Sequence, residues 1–286
     1  MAALDAVRAF VLAGAQTREV EMSEAIRGLV ELRSLVLEAS TAPGAAVVAF
    51  VGAGGKTSAM FALARSLASS GTRILATTTT RILNPDAASA REGKGFGRVL
   101  MLPDPSSPAS IELMRSEGPR VVLGSGCDED GKLFGIDPES ISALKVLFDV
   151  VLVEADGARG LSIKAPALYE PVVPSHCSVV VGLIGLDALG AAMDGWIAYK
   201  PELFGPLVSC APGEAISPEH LVRLVASPQG LFKGTPSGAR RIVVLNKADT
   251  VSQALADECA ATLAAAEVAD AVVVGAFGDI ADGGSR

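Results

Sequence analysis

The chain has 286 residues, half of them apolar and 4% aromatic, and carries a formal net charge of −8. That length holds one large domain or two small ones around a sizeable core. Its basic residues form no run, which excludes non-specific nucleic-acid binding, because a phosphate backbone demands clustered Lys and Arg. No apolar run reaches the ~18 residues a membrane helix needs. Residues 10–15 are briefly apolar and end Ala-x-Ala, but Asp5 stands before Arg8 where a signal peptide wants a basic front end. The chain therefore reads as cytoplasmic, with Cys127, Cys177, Cys210 and Cys259 as scattered reduced thiols. A metal site pairing Cys127 or Cys177 with His176 is the minor alternative.

Residues 1–42 read as an N-terminal helical extension. Ser23 caps a helix whose Ile26, Leu29, Val30, Val36 and Leu37 recur at helical spacing, and Thr41-Ala42-Pro43-Gly44 ends it. A nucleotide-binding domain is expected over residues 43–286. It begins with AVVAFVGAGGKTS at residues 46–58, a buried strand, a glycine-rich turn and a helix in direct succession. That is the context of a phosphate-binding loop. Gly52, Ala53, Gly54 and Gly55 let the backbone turn its N–H groups inward, and the helix that starts at Lys56, Thr57 and Ser58 offers its positive end to the same anion. Lys56 is the expected point charge on the terminal phosphates, and Thr57 the hydroxyl for Mg²⁺. The full pattern G-x-x-x-x-G-K-[ST] puts its first glycine on Phe50 here, so the upstream turn departs from the standard loop.

Further strands are expected at 73–78, 98–102, 120–123, 148–153, 178–183, 241–245 and 271–274. Helices are expected at 58–69, 109–117, 140–147, 250–266 and from Ser217 onward. Asp130-Gly131 reads as a hairpin turn, and 201–213 and 228–238 as loops rich in Pro and Gly. Continuous Val/Ile/Leu strands alternating with helices predict an α/β, three-layer P-loop NTPase-like fold with a mostly parallel central sheet.

In such sheets ligands sit at the carboxyl ends of strands. One strand runs into Glu154-Ala155-Asp156-Gly157. Either carboxylate is placed to hold Mg²⁺ or to orient water, and Gly157 has the spacing of a switch glycine that senses the terminal phosphate. Another runs into Asn246-Lys247-Ala248-Asp249, which matches N-K-x-D. Asp249 only accepts hydrogen bonds, and guanine offers two adjacent donors where adenine offers an acceptor. Lys247 would lie along the base, and Asn246 would tie this loop to the phosphate loop. The strand before Thr77-Thr78-Thr79-Thr80-Arg81 offers hydroxyls, with Arg81 or Arg159 as charge stabilisers. Residues 158–174, with Arg159, Lys164 and Glu170, read as a polar loop that meets a substrate or partner.

VAFVGAGGKTS, ATTTTR, VLVEADGARG with KAP after it, GLDALG and LNKAD stand in one order. Together they resemble the YqeC family of selenium-dependent molybdenum hydroxylase accessory proteins, within the broader P-loop GTPases and ATPases of the signal-recognition and metallocentre-maturation class. The extra early lysine of that class falls on Val51, so arguments built on it do not transfer. The resemblance implies a role in making or inserting the selenium-containing molybdenum cofactor, with a molybdenum hydroxylase or its cofactor as partner. The residues themselves argue for nucleotide only: Mg²⁺ with GTP (or ATP), bound and hydrolysed. The alternatives are a nucleotide-gated binding protein or chaperone with little hydrolysis, and a small-molecule kinase.

Overall fold

The computed structural model describes residues 24–39, 45–68, 71–83 and 96–277. The expected cap Ser23 and the turn at 41–44 lie outside them. The first half of the chain runs α1 (Glu24–Ala39), β1 (Ala46–Gly52), α2 (Lys56–Ala68), β2 (Ile74–Thr78), β3 (Arg81–Leu83), β4 (Arg98–Met101), α3 (Pro108–Ser116), β5 (Arg120–Gly124), β6 (Gly126–Cys127), β7 (Lys132–Phe134) and α4 (Ser140–Leu144). The second half runs β8 (Val150–Glu154), β9 (Ile163–Lys164), β10 (Val179–Gly185), β11 (Ala198–Tyr199), α5 (Pro201–Val208), α6 (Pro218–Ala226), β12 (Arg240–Asn246), α7 (Gln253–Ala265) and β13 (Ala271–Val274), with 3₁₀ turns at Leu186–Ala188 and Ala248–Thr250.

Eight strands form one parallel sheet in the order β13-β12-β10-β1-β8-β2-β5-β4. Both faces are covered, so successive residues of β1 are all buried and divide between two cores. Val47, Ala49 and Val51 meet the layer that holds Phe204, Leu221 and Leu263 of α5, α6 and α7. Ala46, Val48 and Phe50 meet the layer of α1 and α2, with Leu32, Val36, Met60 and Leu63. The helix ahead of the first strand is thus packed into the body: Leu32 and Val36 are fully buried, and Arg240 holds Glu38 at 3.0 Å. Its buried face turns on Leu32 and Val36, whereas Leu37, expected on that face, is exposed.

Two further expectations are corrected. Residues 201–208 are helix α5 rather than loop, starting on Pro201 and burying Phe204, Gly205 and Val208. Proline is tolerated at a helix's first position because that N–H has no partner anyway. The stretch after Asp156 is no solvated loop at Lys164, which sits on β9 paired to β11 and is 1% exposed.

Candidate functional site

Three strand ends converge on the loop that follows β1. Gly52, Gly54 and Gly55 all have positive φ, and at Gly52 and Gly54 a Cβ would run into the main chain of Leu183 and Gly185. Only glycine lets the loop lie this close to β10. Gly52 N–H donates to Asp156 Oδ2 (3.0 Å), Ala53 N–H to Leu183 O (3.0 Å) and Gly54 N–H to Leu161 O (2.9 Å). Among the described residues the main-chain N–H groups of Gly55, Lys56, Thr57 and Ser58 have no acceptor. They are the open donors of a helix start, the groups an anion binds.

The side chains around this loop divide by charge. Lys56 Nζ donates to Gly52 O (2.6 Å) and stands 3.1 Å from Asp156 Oδ1, off the direction of a hydrogen bond. Burial works against its ammonium, but Asp156 and Glu154 outweigh burial and hold its pKa above the ordinary lysine value. Asp156 has a second cation, Lys164 Nζ, 3.1 Å from Oδ2. Glu154 has none of its own. Its Oε2 accepts from Thr57 Oγ1 (2.7 Å), and burial raises its pKa more than Lys56 and Thr57 lower it. A buried carboxylate short of positive charge, beside a hydroxyl at a helix start, is an all-oxygen donor pair that fits a hard divalent cation. Asp156, the other carboxylate expected to take a metal or orient water, is committed to two lysines instead.

Asn246 Nδ2 donates to Gly54 O (2.6 Å), and its Oδ1 accepts from Phe277 N–H (2.7 Å). The end of β12 is therefore fastened to the phosphate loop. Lys247 takes a left-handed backbone (φ 62°), and its Nζ reaches Asp187 Oδ2 (2.7 Å) and Ser162 Oγ (2.8 Å). Asp249 is exposed at the rim. Gly157 gives its carbonyl to Lys164 Nζ (2.7 Å), and a Cβ there would meet nothing within 4 Å. The fold does not require glycine at that position.

The threonines at the end of β2 and just past it are spoken for. Thr77, Thr78 and Thr79 donate through Oγ1 to the carbonyls of Leu123, Glu154 and Val172 at 2.8 Å each. They lock neighbouring segments together. Arg81 lies over Phe134 (4.9 Å) near Asp128, on the small antiparallel sheet of β3, β7 and β6.

Lys164, expected in a polar loop, is one of the largest fully buried side chains. It joins Asp156, Gly157 O and Glu170 Oε2 (2.8 Å). Burial would raise the Glu170 pKa, but the hydrogen bond and charge of Lys164 hold it below the usual carboxylate value. A KAP triplet a short stretch after a switch-like turn is the one sequence signal of this. Replacing Lys164 by Met leaves Asp156 and Glu170 without their shared cation, and a loss of about 3–5 kcal/mol in denaturant unfolding is expected. A loss under ~1 kcal/mol, the scale of a surface pair, would reduce the network to decoration.

The cysteine–histidine alternative is not assembled as expected. Cys127 is exposed, and Cys177 Sγ donates to the carbonyls of Val47 and Val179, with burial pushing its pKa up to about 12. Cys210, Glu214 and His220 do bring ligand atoms within 4.8 Å of one another. Yet Ser217 N–H donates to His220 Nδ1 (3.0 Å), which leaves the neutral ring's proton on Nε2, the atom facing Glu214 at 3.7 Å. A protonated nitrogen is no ligand. A cavity of about 780 Å³ between α5 and residues 209–214 shares no lining residue with the phosphate loop. No helix among the described residues is long and apolar enough to cross a membrane.

A parallel sheet covered on both faces, whose central strand feeds a glycine loop and a helix opening on Lys56-Thr57, defines a P-loop NTPase-like α/β protein. The chain belongs to the YqeC family: the family model described as YqeC protein matches residues 48–202. It is 34% identical over 234 residues to the "Uncharacterized protein YqeC" of Escherichia coli (strain K12), covering 81% of this chain and 87% of that one. FtsY from Mycoplasma mycoides superposes with a TM-score of 0.30 at 12% identity, over 96% of this chain and 68% of that one, too loosely to carry an argument.

Proposed function

We propose that the protein binds a Mg²⁺–nucleoside triphosphate, GTP in preference to ATP, and hydrolyses it in the service of maturing the selenium-containing molybdenum cofactor of hydroxylases. The observation that carries the nucleotide part is the meeting of Thr57, Glu154 and Asn246 at one loop, from α2, β8 and β12. Lys56 would leave Gly52 O for the β/γ-phosphates, and the donors of residues 55–58 would hold them. Thr57 and Glu154 would hold Mg²⁺, which when bound spreads the charge of the phosphates. Gly157, where the fold makes no demand for glycine, would bring its amide to the terminal phosphate. The cofactor-maturation part is supported by the order of motifs shared with the family.

A second reading, a nucleotide-gated binding protein with slow turnover, is favoured by one observation. Asp156 is held by two lysines and Glu154 by Thr57, so neither carboxylate stands free to orient water. Steady-state phosphate release separates the two. Binding without turnover, even with a hydroxylase partner added, would leave only the gated binder.

Glu154→Gln keeps the shape and removes the charge that Mg²⁺ would answer. The expected result is a loss of about tenfold or more in the Mg²⁺-dependent part of triphosphate affinity, with binding in EDTA unchanged. Equal Mg²⁺ dependence in both proteins would move the ion off Glu154.

A further inference from the structure

Beyond the switch-like turn, the surface carries two cations: Arg159, one of the two arginines expected to stabilise phosphate charge, and Lys200, which the nucleotide reading does not use. Arg159 and Lys200 both have left-handed backbones, at φ 50° and 56°. Non-glycine residues held in that region mark places where the surrounding structure over-determines the chain. Arg159 Cζ lies 5.8 Å and Lys200 Nζ 5.4 Å from the centroid of the Tyr199 ring, and Lys200 is also 5.4 Å from the ring of Tyr169. Among the described residues neither cation is within 4 Å of a carboxylate, in a chain whose net charge is −8. Cations left without a carboxylate on an acidic protein, and gathered over one ring, are placed for a ligand's negative charge.

The frame behind them is rigid. Lys233 Nζ donates to the carbonyls of Ala167 (2.7 Å) and Leu168 (2.8 Å), and Glu170 is fixed by Lys164 and by Ala167 N–H (3.2 Å). Tyr169, 73% exposed, is thus presented by a pinned loop, and Lys200 Nζ stands 3.4 Å from its hydroxyl. Tyr199 pairs with Lys164 across β11 and β9, and Lys164 Nζ is 5.5 Å from the same ring.

We propose that Arg159, Lys200, Tyr169 and Tyr199 form a second ligand site, one that takes the phosphate or carboxylate group of a small molecule beside the nucleotide. The site is compact, with both cations over one ring, which suits a small anion better than an extended acidic surface. It is also wired to the phosphate loop. Lys56, Asp156, Lys164 and Glu170 form one line of buried charges, at 3.1, 3.1 and 2.8 Å. A triphosphate that draws Lys56 away leaves Lys164 as the one cation on Asp156, and Lys164 lies against Tyr199. Occupancy of either site therefore changes the affinity of the other, by the same factor in both directions. This coupling rests on the nucleotide reading; the anion site itself does not.

The test is a calorimetric titration of inorganic phosphate, and separately of citrate, into the full chain carrying Lys56→Ala, so that the phosphate loop does not contribute. Saturable binding is expected for one of the two anions, which identifies the group, with Arg159→Ala and Lys200→Ala each weakening it about tenfold or more and Lys200→Arg retaining it. Thermal melting checks that the two alanine variants stay folded, as solvent-facing changes should. Affinity unchanged in both alanine variants, or no saturable binding of either anion, overturns the site. Binding of poly-glutamate alone, lost in the same variants, overturns the small-molecule assignment in favour of a protein surface. Because these titrations need no nucleotide, a failure of the nucleotide reading leaves their outcome standing. In the unmodified protein, a non-hydrolysable GTP analogue should shift the anion affinity; the absence of a shift overturns the coupling.

Discussion

Lys56→Ala is expected to abolish triphosphate binding while leaving the protein folded. Among the described residues the ammonium is the only side-chain cation at the start of α2, beside the four open main-chain donors of residues 55–58. Charge-assisted hydrogen bonds are worth ~1.5–3 kcal/mol each, and a triphosphate would take more than one from this group. A loss of a hundredfold or more, on the order of 3 kcal/mol, follows. The folding part has its own reason. Removing Lys56 deprives Asp156 of one of its two lysines, but Lys164 at 3.1 Å and Gly52 N–H at 3.0 Å remain. Asp156 is not left as a bare buried charge, so the destabilisation should fall short of that for Lys164→Met, which takes one cation from Asp156 and the ion-pair partner of Glu170 together. Calorimetry with GTP and a melt of each variant check both statements. Unchanged GTP affinity in Lys56→Ala would remove the phosphate loop from the function.

Phe50 explains what was hard to read in the loop. Where a standard loop has its first glycine, Phe50 is a fully buried strand residue, in register with Val181 on one side and Glu154 on the other. Its ring is packed among the residues of α1 and α2. The strand runs on to Gly52, and the turn starts two residues later than the pattern implies. Apolar strands such as Val150–Glu154 and Val179–Gly185 were legible because burial on both faces leaves an unbroken apolar run. α5 was not, since Pro201, Gly205 and Pro206 are loop signals at short range, and only the burial of Phe204 and Val208 against the neighbouring helix layer makes that segment helical. Lys164 was illegible for a similar reason. A lysine is almost never fully buried without partners, and its partners Asp156 and Glu170 are brought to it by a β9–β11 pairing that no local pattern announces. Asn246 lies at the other extreme. Its residue type and its place after an apolar strand suggested a link to the phosphate loop, and the bond to Gly54 O is there.

Base choice gives the second large effect. Asp249 stands exposed just past Lys247, on a loop fastened to the phosphate loop by Asn246, so a base read at Asp249 and a phosphate held at Lys56 would belong to one nucleotide. A carboxylate accepts and never donates when ionised. Guanine's ring N–H and exocyclic amine would both find an acceptor in it. Asp249→Asn replaces one acceptor oxygen by an NH₂ donor, which faces guanine's amine donor to donor. Xanthine has a carbonyl at that position, so the amide's donor and acceptor match it edge to edge. The expected result is a fall in GTP affinity of about a hundredfold, from losing one charge-assisted bond worth ~1.5–3 kcal/mol and neutralising the acceptor of the other, while xanthosine triphosphate binds the variant more tightly than GTP does. Inversion is the informative outcome, because a merely damaged loop would weaken both nucleotides together. Competition titrations with GTP, ATP and xanthosine triphosphate on the two proteins decide it. Equal binding of ATP and GTP by the unmodified chain would end the guanine assignment and leave the phosphate loop serving a base that Asp249 does not read.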